Sequence, residues 1–376
     1  TDIPESENGR YTRGTAVALN ARAYLYDNDF ENCAIWCDKL INSTEYGTYA
    51  LESDYKKLFH DQSCCYGPES IMTIEFATLG GIDNIVRSWN NFNAFVPQSI
   101  GNKGVTTQSP TQELVDAYRK LDGSVADDTD YEKRDKRFEA TIAFNGCTVD
   151  IPDAKGLGLI GSEGKGKGSY TCYTRAEDEK KQNDNERFDS YNGTQDRTAT
   201  GYYTLKNYNA DMVDSKGNTY KSLMEIRYAD VLLMYAEVVN ELYGKGATAE
   251  GCTLTATAAL KEVHDRAFTD ATKRDAAWSA LMGKDFFDAI VDENAWELAG
   301  EGVRKFDLIR WNLLSEKIDE FKNEYTDAVY NGTYPQYVNY KYRTDNPMYI
   351  DMSSLVFGAK VGGEYENKSF FGAETT

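Results

Sequence analysis

The chain has only two histidines, His60 and His264, among its 376 residues. A catalytic metal site usually needs several His or Cys ligands, and a Ser-His-Asp site needs one well-placed His. His264 falls on a predicted helix, which favours a packed or surface position, and His60 falls in a predicted loop. None of the seven cysteines shows C-x-x-C spacing. We therefore predict no metal site, no cofactor and no catalytic residue.

Positive charge is also in deficit, because 41 Lys and Arg face 61 Asp and Glu and give a net charge of −20. Binding to nucleic-acid phosphates needs surplus positive charge, so this balance argues against a nucleic-acid partner. It also disfavours polyanionic ligands unless a local basic patch overrides it. No apolar run approaches the ~18 residues that a membrane helix needs, and the mean hydropathy is −0.61.

The start of the chain shows neither a charged segment followed by an apolar one nor a cysteine that could accept a lipid. This pattern indicates that a signal was removed or that the chain is a fragment. Because the cysteine count is odd, at least one thiol is free or pairs between chains. Cys33 and Cys37 are four residues apart, a buried-face spacing on a helix. We favour reduced structural thiols over disulfides or metal ligands.

Helical periodicity is present in three zones. In residues 12–41, Ala16, Leu19, Ala23 and Tyr26 recur at helical spacing, and a second helix follows a polar turn. Such a pair resembles a TPR hairpin. Residues 225–267 form a largely apolar helix, which the glycine-rich turn 244–246 ends, and a partner helix. Residues 285–325 form two more helices, the first of them stopped by Gly300 and Gly302. The predicted fold is mostly α, with TPR-like helical hairpins, a large loop-rich insertion and a few short strands.

This periodicity predicts four regions. Residues 1–60 form a TPR-like hairpin, and 61–220 form a loop-rich region for ligand binding. Residues 221–330 form further helical hairpins, and 331–376 form an irregular C-terminal tail. Within the second region, 71–76 is predicted to be a strand and 110–118 a short helix capped by Thr111.

Several short motifs are better explained as structure than as chemistry. Residues 156–161 match G-x-G-x-x-G, but neither the strand before the glycines nor the helix after them is predicted, as a dinucleotide site requires. Asp211, Asp214 and Asn218 could bind Ca²⁺, although a plain turn is favoured. Glu297 and Glu301 are four residues apart, and solvated surface charge is favoured over a catalytic acid pair.

One segment combines aromatic and amide side chains without helical or strand periodicity. It contains Trp89, Asn91 and Phe92. Sugar rings present apolar C–H faces and many hydroxyls, which suit aromatic platforms flanked by amides. Anchoring of the loop to the scaffold is an equal alternative. Further candidate sugar-binding residues in polar loops are Tyr170, Tyr173 and Tyr191.

Five segments, in this order, together resemble the SusD/RagB family. They are residues 9–23, 109–118, 134–138, 226–237 and 297–311. The segment 226–237, Ile-Arg-Tyr-Ala-Asp-Val-Leu-Leu-Met-Tyr-Ala-Glu, is very similar to the family's most recognisable helix. The segment 134–138, Arg-Asp-Lys-Arg-Phe, resembles its R-D-x-R-F element. In the final stretch the likeness is weaker, at residues 348–350.

The resemblance implies a non-catalytic glycan-binding protein, lipid-anchored at the outer face of the bacterial outer membrane. It further implies that the protein forms a lid on a SusC-like TonB-dependent transporter and helps to deliver glycan for import. The family begins earlier, so roughly its N-terminal third is absent here. We expect this chain to need that portion as a partner, and to expose apolar patches without it. The alternatives are a TPR-type adaptor for peptides, then an α-helical glycoside hydrolase.

Overall fold

The computed structural model describes residues 9–76, 95–97, 108–118, 120–124, 131–151, 168–173, 186–188, 198, 200–212, 219–330, 337–342, 344–345, 350–357 and 366–369. These residues form two compact units, one up to Arg304 and one from Lys305 onward. Helices dominate, and the strands are few and short, which confirms the predicted fold class.

The helices of the first unit are α1 (Arg13–Tyr26), α2 (Phe30–Ile41), α3 (Tyr55–His60), α4 (Gln112–Ala117), α5 (Lys136–Thr141), α6 (Tyr228–Tyr243), α7 (Ala256–Arg266), α8 (Ala271–Met282) and α9 (Phe286–Glu297). Two further helices follow, α10 (Arg304–Arg310) and α11 (Leu314–Tyr330). The sequence predicts one helix across the last two, but Asn312 adopts a left-handed conformation with φ 57° and separates them.

The strands are β1 (Ser70–Ile74), β2 (Ile142–Ala143), β3 (Cys147–Ile151), β4 (Gly168–Tyr173), β5 (Glu186–Phe188), β6 (Tyr203–Thr204), β7 (Leu223–Arg227), β8 (Tyr337–Tyr342), β9 (Ile350–Phe357) and β10 (Glu366–Ser369). β1 pairs with β7, and β2 with β6, both antiparallel. β4 lies between β3 and β5, antiparallel to the first and parallel to the second.

The C-terminal region is a correction to the predicted irregular tail at 331–376. β8 is the central strand of an antiparallel sheet, with β9 and β10 on its two sides. β8 and β9 contain Tyr, Val and Ile, which favour strands, whereas β10 is Glu-Asn-Lys-Ser. Their pairing joins residues far apart in sequence, so local pattern alone did not reveal it.

The α1–α2 hairpin is closed by local polar contacts. Asn28 turns the chain with φ 59°. The side chain of Asp29 then accepts a hydrogen bond from Asn32 N at 3.2 Å and caps α2. At the other end, Thr12 and Thr15 form a reciprocal capping box that starts α1. Caps of this kind satisfy amide groups that the first helical turn leaves unpaired.

The packing face of α1 differs from the one that the sequence indicates. Ala16, Leu19, Ala23 and Tyr26, which recur at helical spacing, are exposed in the structure. The buried residues are Gly14, Thr15, Val17, Ala18, Ala21 and Leu25. The helix therefore carries apolar or small residues on two sides, and periodicity alone cannot show which side packs against the core.

Helix α6 lies at the centre of the first unit. It packs against α2, α7 and α9, and residues 228–239 are all buried. Gly244, with φ 89°, ends it where the sequence predicts a stop. Two other local predictions are confirmed: β1 forms at the predicted strand, and the side chain of Thr111 accepts a hydrogen bond from Leu114 N at the start of α4.

Candidate functional site

A cavity of about 130 Å³ opens between α3, β3 and the segment that follows β6. Its walls are Lys56 and His60 of α3, residues 148–150 of β3, Leu205 and residues 208–211. Concave sites with a few polar groups on an apolar base are the usual form of small-molecule binding sites. This cavity is therefore a candidate site among the described residues.

One wall of the cavity is held by contacts at both ends of α3. The side chain of Asp54 accepts a hydrogen bond from Lys57 N at 3.0 Å and starts the helix. At the other end, His60 Nε2 lies 2.9 Å from Ala140 O of α5. Burial lowers the pKa of His60 to about 4, although the Ala140 carbonyl opposes this effect. The imidazole is therefore neutral at pH 7. His60 lies in a helix, which corrects the predicted loop.

Tyr208 lines the cavity with a buried side chain. Burial raises the pKa of its phenol, and the charges of Asp150 and Asp211 raise it further, so the hydroxyl stays protonated. Asn207 just before it is left-handed, with φ 67°. This turn lets Lys206 enter the interior of the unit while Tyr208 lines the cavity.

The rim of the cavity carries both hydrogen-bond acceptors and donors. Asp150 accepts a hydrogen bond from Ser169 Oγ on the neighbouring strand β4. Asn209 Oδ1 accepts a hydrogen bond from Asp211 N at 2.7 Å. Carboxylates accept hydrogen bonds, an ammonium such as that of Lys56 donates them, and an amide does both. Chemically, this rim suits an uncharged ligand with several hydroxyl groups.

The six residues predicted to bind ligand are placed only in part. Trp89, Asn91, Phe92 and Tyr191 lie outside the described residues. Tyr170 and Tyr173 are in β4, and the backbone of Tyr170 is opposite Val149, which lines the cavity. The structure thus places two of the six on the strand next to the cavity wall. That these six bind ligand stays a prediction.

Most of the cavity could not be predicted from the sequence. Lys56, Asp150 and Tyr208 belong to three separate segments, none of which carries a recognisable motif. The only role that the sequence suggests for Asp211 is that of a possible calcium ligand, together with Asp214 and Asn218. The last two residues lie outside the described residues. A repeated spacing could not have identified the site, because its walls come from a helix, a strand and a turn.

A second polar feature, the buried charge cluster, lies inside the same unit. It consists of Arg137, Lys206, Arg227, Arg266, Glu69, Glu293, Glu297 and Glu301. Three of the segments that resemble SusD/RagB contribute to it: Arg137 from 134–138, Arg227 from 226–237, and Glu297 with Glu301 from 297–311. The charged positions of these motifs therefore meet in the interior.

Arg227 pairs with three carboxylates of the buried charge cluster. Its Nη1 lies 2.6 Å from Glu69 Oε1 and 2.8 Å from Glu297 Oε1, and its Nη2 lies 2.8 Å from Glu301 Oε1. Arg137 Nη1 approaches Glu297 Oε2 at 3.1 Å, and Arg266 also pairs with Glu297. Opposite charges are thus matched throughout, as burial of ionised groups requires.

These contacts correct the surface position predicted for Glu297 and Glu301. Burial alone would raise the pKa of Glu297, but the charges of Arg266, Arg227 and Arg137 outweigh it and lower this pKa. The pKa of Glu301 is lowered in the same way by Arg227 and Lys206. A general acid needs a raised pKa and access to substrate. Glu297 instead joins the end of α9 to the rest of the unit, and Glu301 does the same for the turn that follows.

His264 is also an internal residue. Its Nδ1 lies 2.8 Å from Glu293 Oε2, and its ring is buried between Phe268 and Trp278. The helix pattern predicts a packed or a surface position, and the structure shows the packed one. Across the described ranges, no group of three His, Cys, Asp or Glu side chains is arranged to hold a metal ion. Among the helices described, none combines the length and apolarity needed to cross a bilayer.

Comparison with known proteins gives a consistent result. The family model of the SusD family matches residues 68–354. A SusD-like protein of Formosa agariphila is 25% identical over 334 residues, covering 85% of this chain and 53% of that protein. A SusD-like carbohydrate-binding protein from Bacteroides fragilis superposes with a TM-score of 0.55 at 22% identity, covering 83% of this chain and 54% of that one.

A further solved structure is described as a laminarin-binding SusD-like protein. It superposes with a TM-score of 0.51 at 23% identity, covering 85% of this chain and 58% of that one. The chain thus spans about half the length of the relatives that it matches. The family match covers most of the chain, from the residue before Glu69 to the C-terminal sheet, and it includes the residues that form the cavity from β3 onward. This chain belongs to the SusD family.

Proposed function

We propose that this protein binds an oligo- or polysaccharide at the bacterial cell surface and does not transform it. Membership of the SusD family carries the proposal. Two relatives, described as carbohydrate-binding and laminarin-binding, support glycan as the ligand class. The net charge of −20 favours a neutral glycan, because a polyanionic one would be repelled.

The proposed contacts combine the aromatic segment with the strand beside the cavity. We expect the rings of Trp89 and Phe92 to stack on sugar rings and the amide of Asn91 to bond their hydroxyls. Tyr170 and Tyr173 of β4 are further candidate contacts, and so is Tyr191. The cavity rim adds hydrogen-bonding groups suited to sugar hydroxyls. Stacking on a sugar ring and hydrogen bonding to its hydroxyls are complementary, so the two surfaces can serve one ligand.

Glycan binding then serves uptake. In this proposal the full protein is lipid-anchored at the outer face of the outer membrane, where it pairs with a SusC-like TonB-dependent transporter and passes glycan to it. Isolation of the protein from native outer membranes with a barrel transporter attached would support this step, and isolation without any transporter would contradict it.

Glycan binding is tested by calorimetric titration of the purified protein with a panel of neutral and acidic polysaccharides, including laminarin. We expect saturable binding to at least one neutral member and no release of reducing ends after prolonged incubation. Trp89→Ala should weaken the binding, and Tyr243→Ala, at an exposed aromatic outside the proposed site, should not. Lack of binding to every glycan, or steady product release, would overturn the proposal.

A further inference from the structure

Two cysteines face each other across neighbouring strands of the first unit. Cys147 begins β3, Cys172 lies near the end of β4, and the antiparallel register pairs them directly. Both side chains are buried, and both belong to the same small hydrophobic cluster. The pairing is long-range in sequence, because 24 residues separate the two positions.

The backbone hydrogen bonds define the type of pair. Cys147 N donates to Phe144 O at 3.1 Å, and Cys172 O accepts from Gly146 N at 2.8 Å. The C=O of Cys172 therefore points toward β3, and Gly146, with φ 86°, lies with Cys147 opposite Cys172 in a glycine β-bulge. The two cysteines thus occupy a hydrogen-bonded position of the ladder, where opposite Cα atoms are about 5.5 Å apart. Disulfides span Cα separations of about 4.4–6.8 Å.

The remaining cysteines are arranged differently. Cys33 and Cys37 lie within one helix. Cys65 is engaged by neighbours, since its Sγ donates to Ser222 O at 3.1 Å and accepts from Lys221 Nζ at 3.3 Å. Its neighbour Cys64 directly precedes it in the chain. No second pair is joined by strand register in the described part of the chain.

We propose that Cys147 and Cys172 form a cross-strand disulfide in the mature protein. Each thiol gives up one proton and one electron as the S–S bond forms, and a disulfide-bearing oxidant takes up both electrons and is reduced to two thiols. The reaction occurs during folding, when the strands have paired but are not yet covered. The seven cysteines then leave five thiols, an odd number.

The bond would fix the β3–β4 pair at the edge of the proposed sugar site. β3 supplies residues 148–150 to the cavity wall, and β4 carries Tyr170 and Tyr173. A disulfide stabilises largely by restricting the unfolded chain, and here it closes the loop that joins these two strands. The inference rests on the proposed function in one respect: a protein exported to the cell surface passes through an oxidising compartment, where disulfides form.

The test is a thiol count on protein exported to an oxidising periplasm, alkylated in denaturant without reductant. We expect five modified cysteines in the wild-type chain. Cys147→Ser should raise the count to six, because it removes one cysteine and releases Cys172. Cys64→Ser should lower it to four. Peptide mapping without reduction should find the segments containing Cys147 and Cys172 joined.

Seven modified cysteines in the wild-type chain, with six in both serine variants, would overturn the disulfide. A count of five thiols with a different pair of cysteines joined in the peptide map would also overturn it. To separate a failure of oxidation from a failure of geometry, the same protein is reduced, unfolded and refolded in a buffer of reduced and oxidised glutathione, where the wild-type count should also fall to five. The glycan titration reads out the proposed function independently, so either proposal can fail while the other stands.

Discussion

Arg227 Nη1 lies 2.8 Å from Glu297 Oε1, and neither side chain is exposed to solvent. Seventy positions separate the two residues, and each belongs to a different segment that resembles the SusD/RagB family. Their contact explains why those segments contain charged residues in otherwise apolar helices. The charges pair with one another in the interior and leave ligand binding to other parts of the chain.

Removing the charge of Glu297 should destabilise the protein strongly. Glu297→Gln leaves Arg137, Arg227 and Arg266 without their shared carboxylate, and breaking a buried ion pair costs about 3–5 kcal/mol. Chemical denaturation measures the loss. The matched control is Glu45→Gln, which breaks the exposed ion pair with Arg13 and should change the free energy of unfolding by no more than about 1 kcal/mol. Equal losses in the two variants would contradict the assigned role.

Stability should fall sharply in acid because of the same carboxylates. The pKa values of Glu293, Glu297 and Glu301 are lowered in the folded protein. Each contribution is fully present above the unfolded value of about 4.3 and is lost as the pH falls toward the lowered value. Urea unfolding between pH 5 and pH 2 should show this decline, and Glu297→Gln should make it shallower. An unchanged slope in the variant would count against the assignment.

His60 should add a pH dependence in a separate window. Its folded-state pKa of about 4 lies below the unfolded value of about 6.5. The unfolded chain therefore binds the extra proton between these values, and the free energy of unfolding falls by about 2–3 kcal/mol as the pH drops through them. Asp230, whose pKa burial raises to about 6, acts in the opposite direction. The difference between wild type and His60→Gln isolates the histidine contribution, and no difference would refute it.

Shortening a side chain should change stability differently on the two sides of α1. Val17 is 3% exposed and Leu19 is 45% exposed. Val17→Ala should cost about 2 kcal/mol, because it removes buried methyl groups and leaves a cavity. Leu19→Ala should change stability by no more than about 0.5 kcal/mol. Thermal and urea unfolding compare the two variants, and a larger loss at Leu19 would show that the exposed side is packed in solution.

Glycan affinity should depend on both the aromatic segment and the cavity rim. Trp89→Ala should weaken binding about tenfold through loss of stacking, and Asp150→Ala should weaken it less. Tyr243→Ala is the control for removal of an exposed ring. Titration with the best glycan of the panel measures all three. If Asp150→Ala has no effect while Trp89→Ala does, the cavity is not part of the glycan site.

Much of the local structure could be predicted from neighbouring residues. The cap at Thr111, the stop at Gly244 and the long apolar helix before it each depend on a few adjacent positions. The C-terminal sheet, α8 and the cavity could not be predicted in this way. Strand pairing and cavity walls depend on segments far apart in the chain, and no local spacing encodes them.

The sequence by itself determined the family, the helical class and the ends of several helices, because these follow from local periodicity, capping chemistry and ordered motifs. Only the tertiary structure decided that Glu297 and Arg227 are internal partners, that the Leu19 side of α1 is exposed, and that Cys147 is opposite Cys172. A charged residue, an apolar stripe or a thiol gives the same local sequence pattern whether it lies in the interior or at the surface. Its role depends on which distant residue folding brings against it.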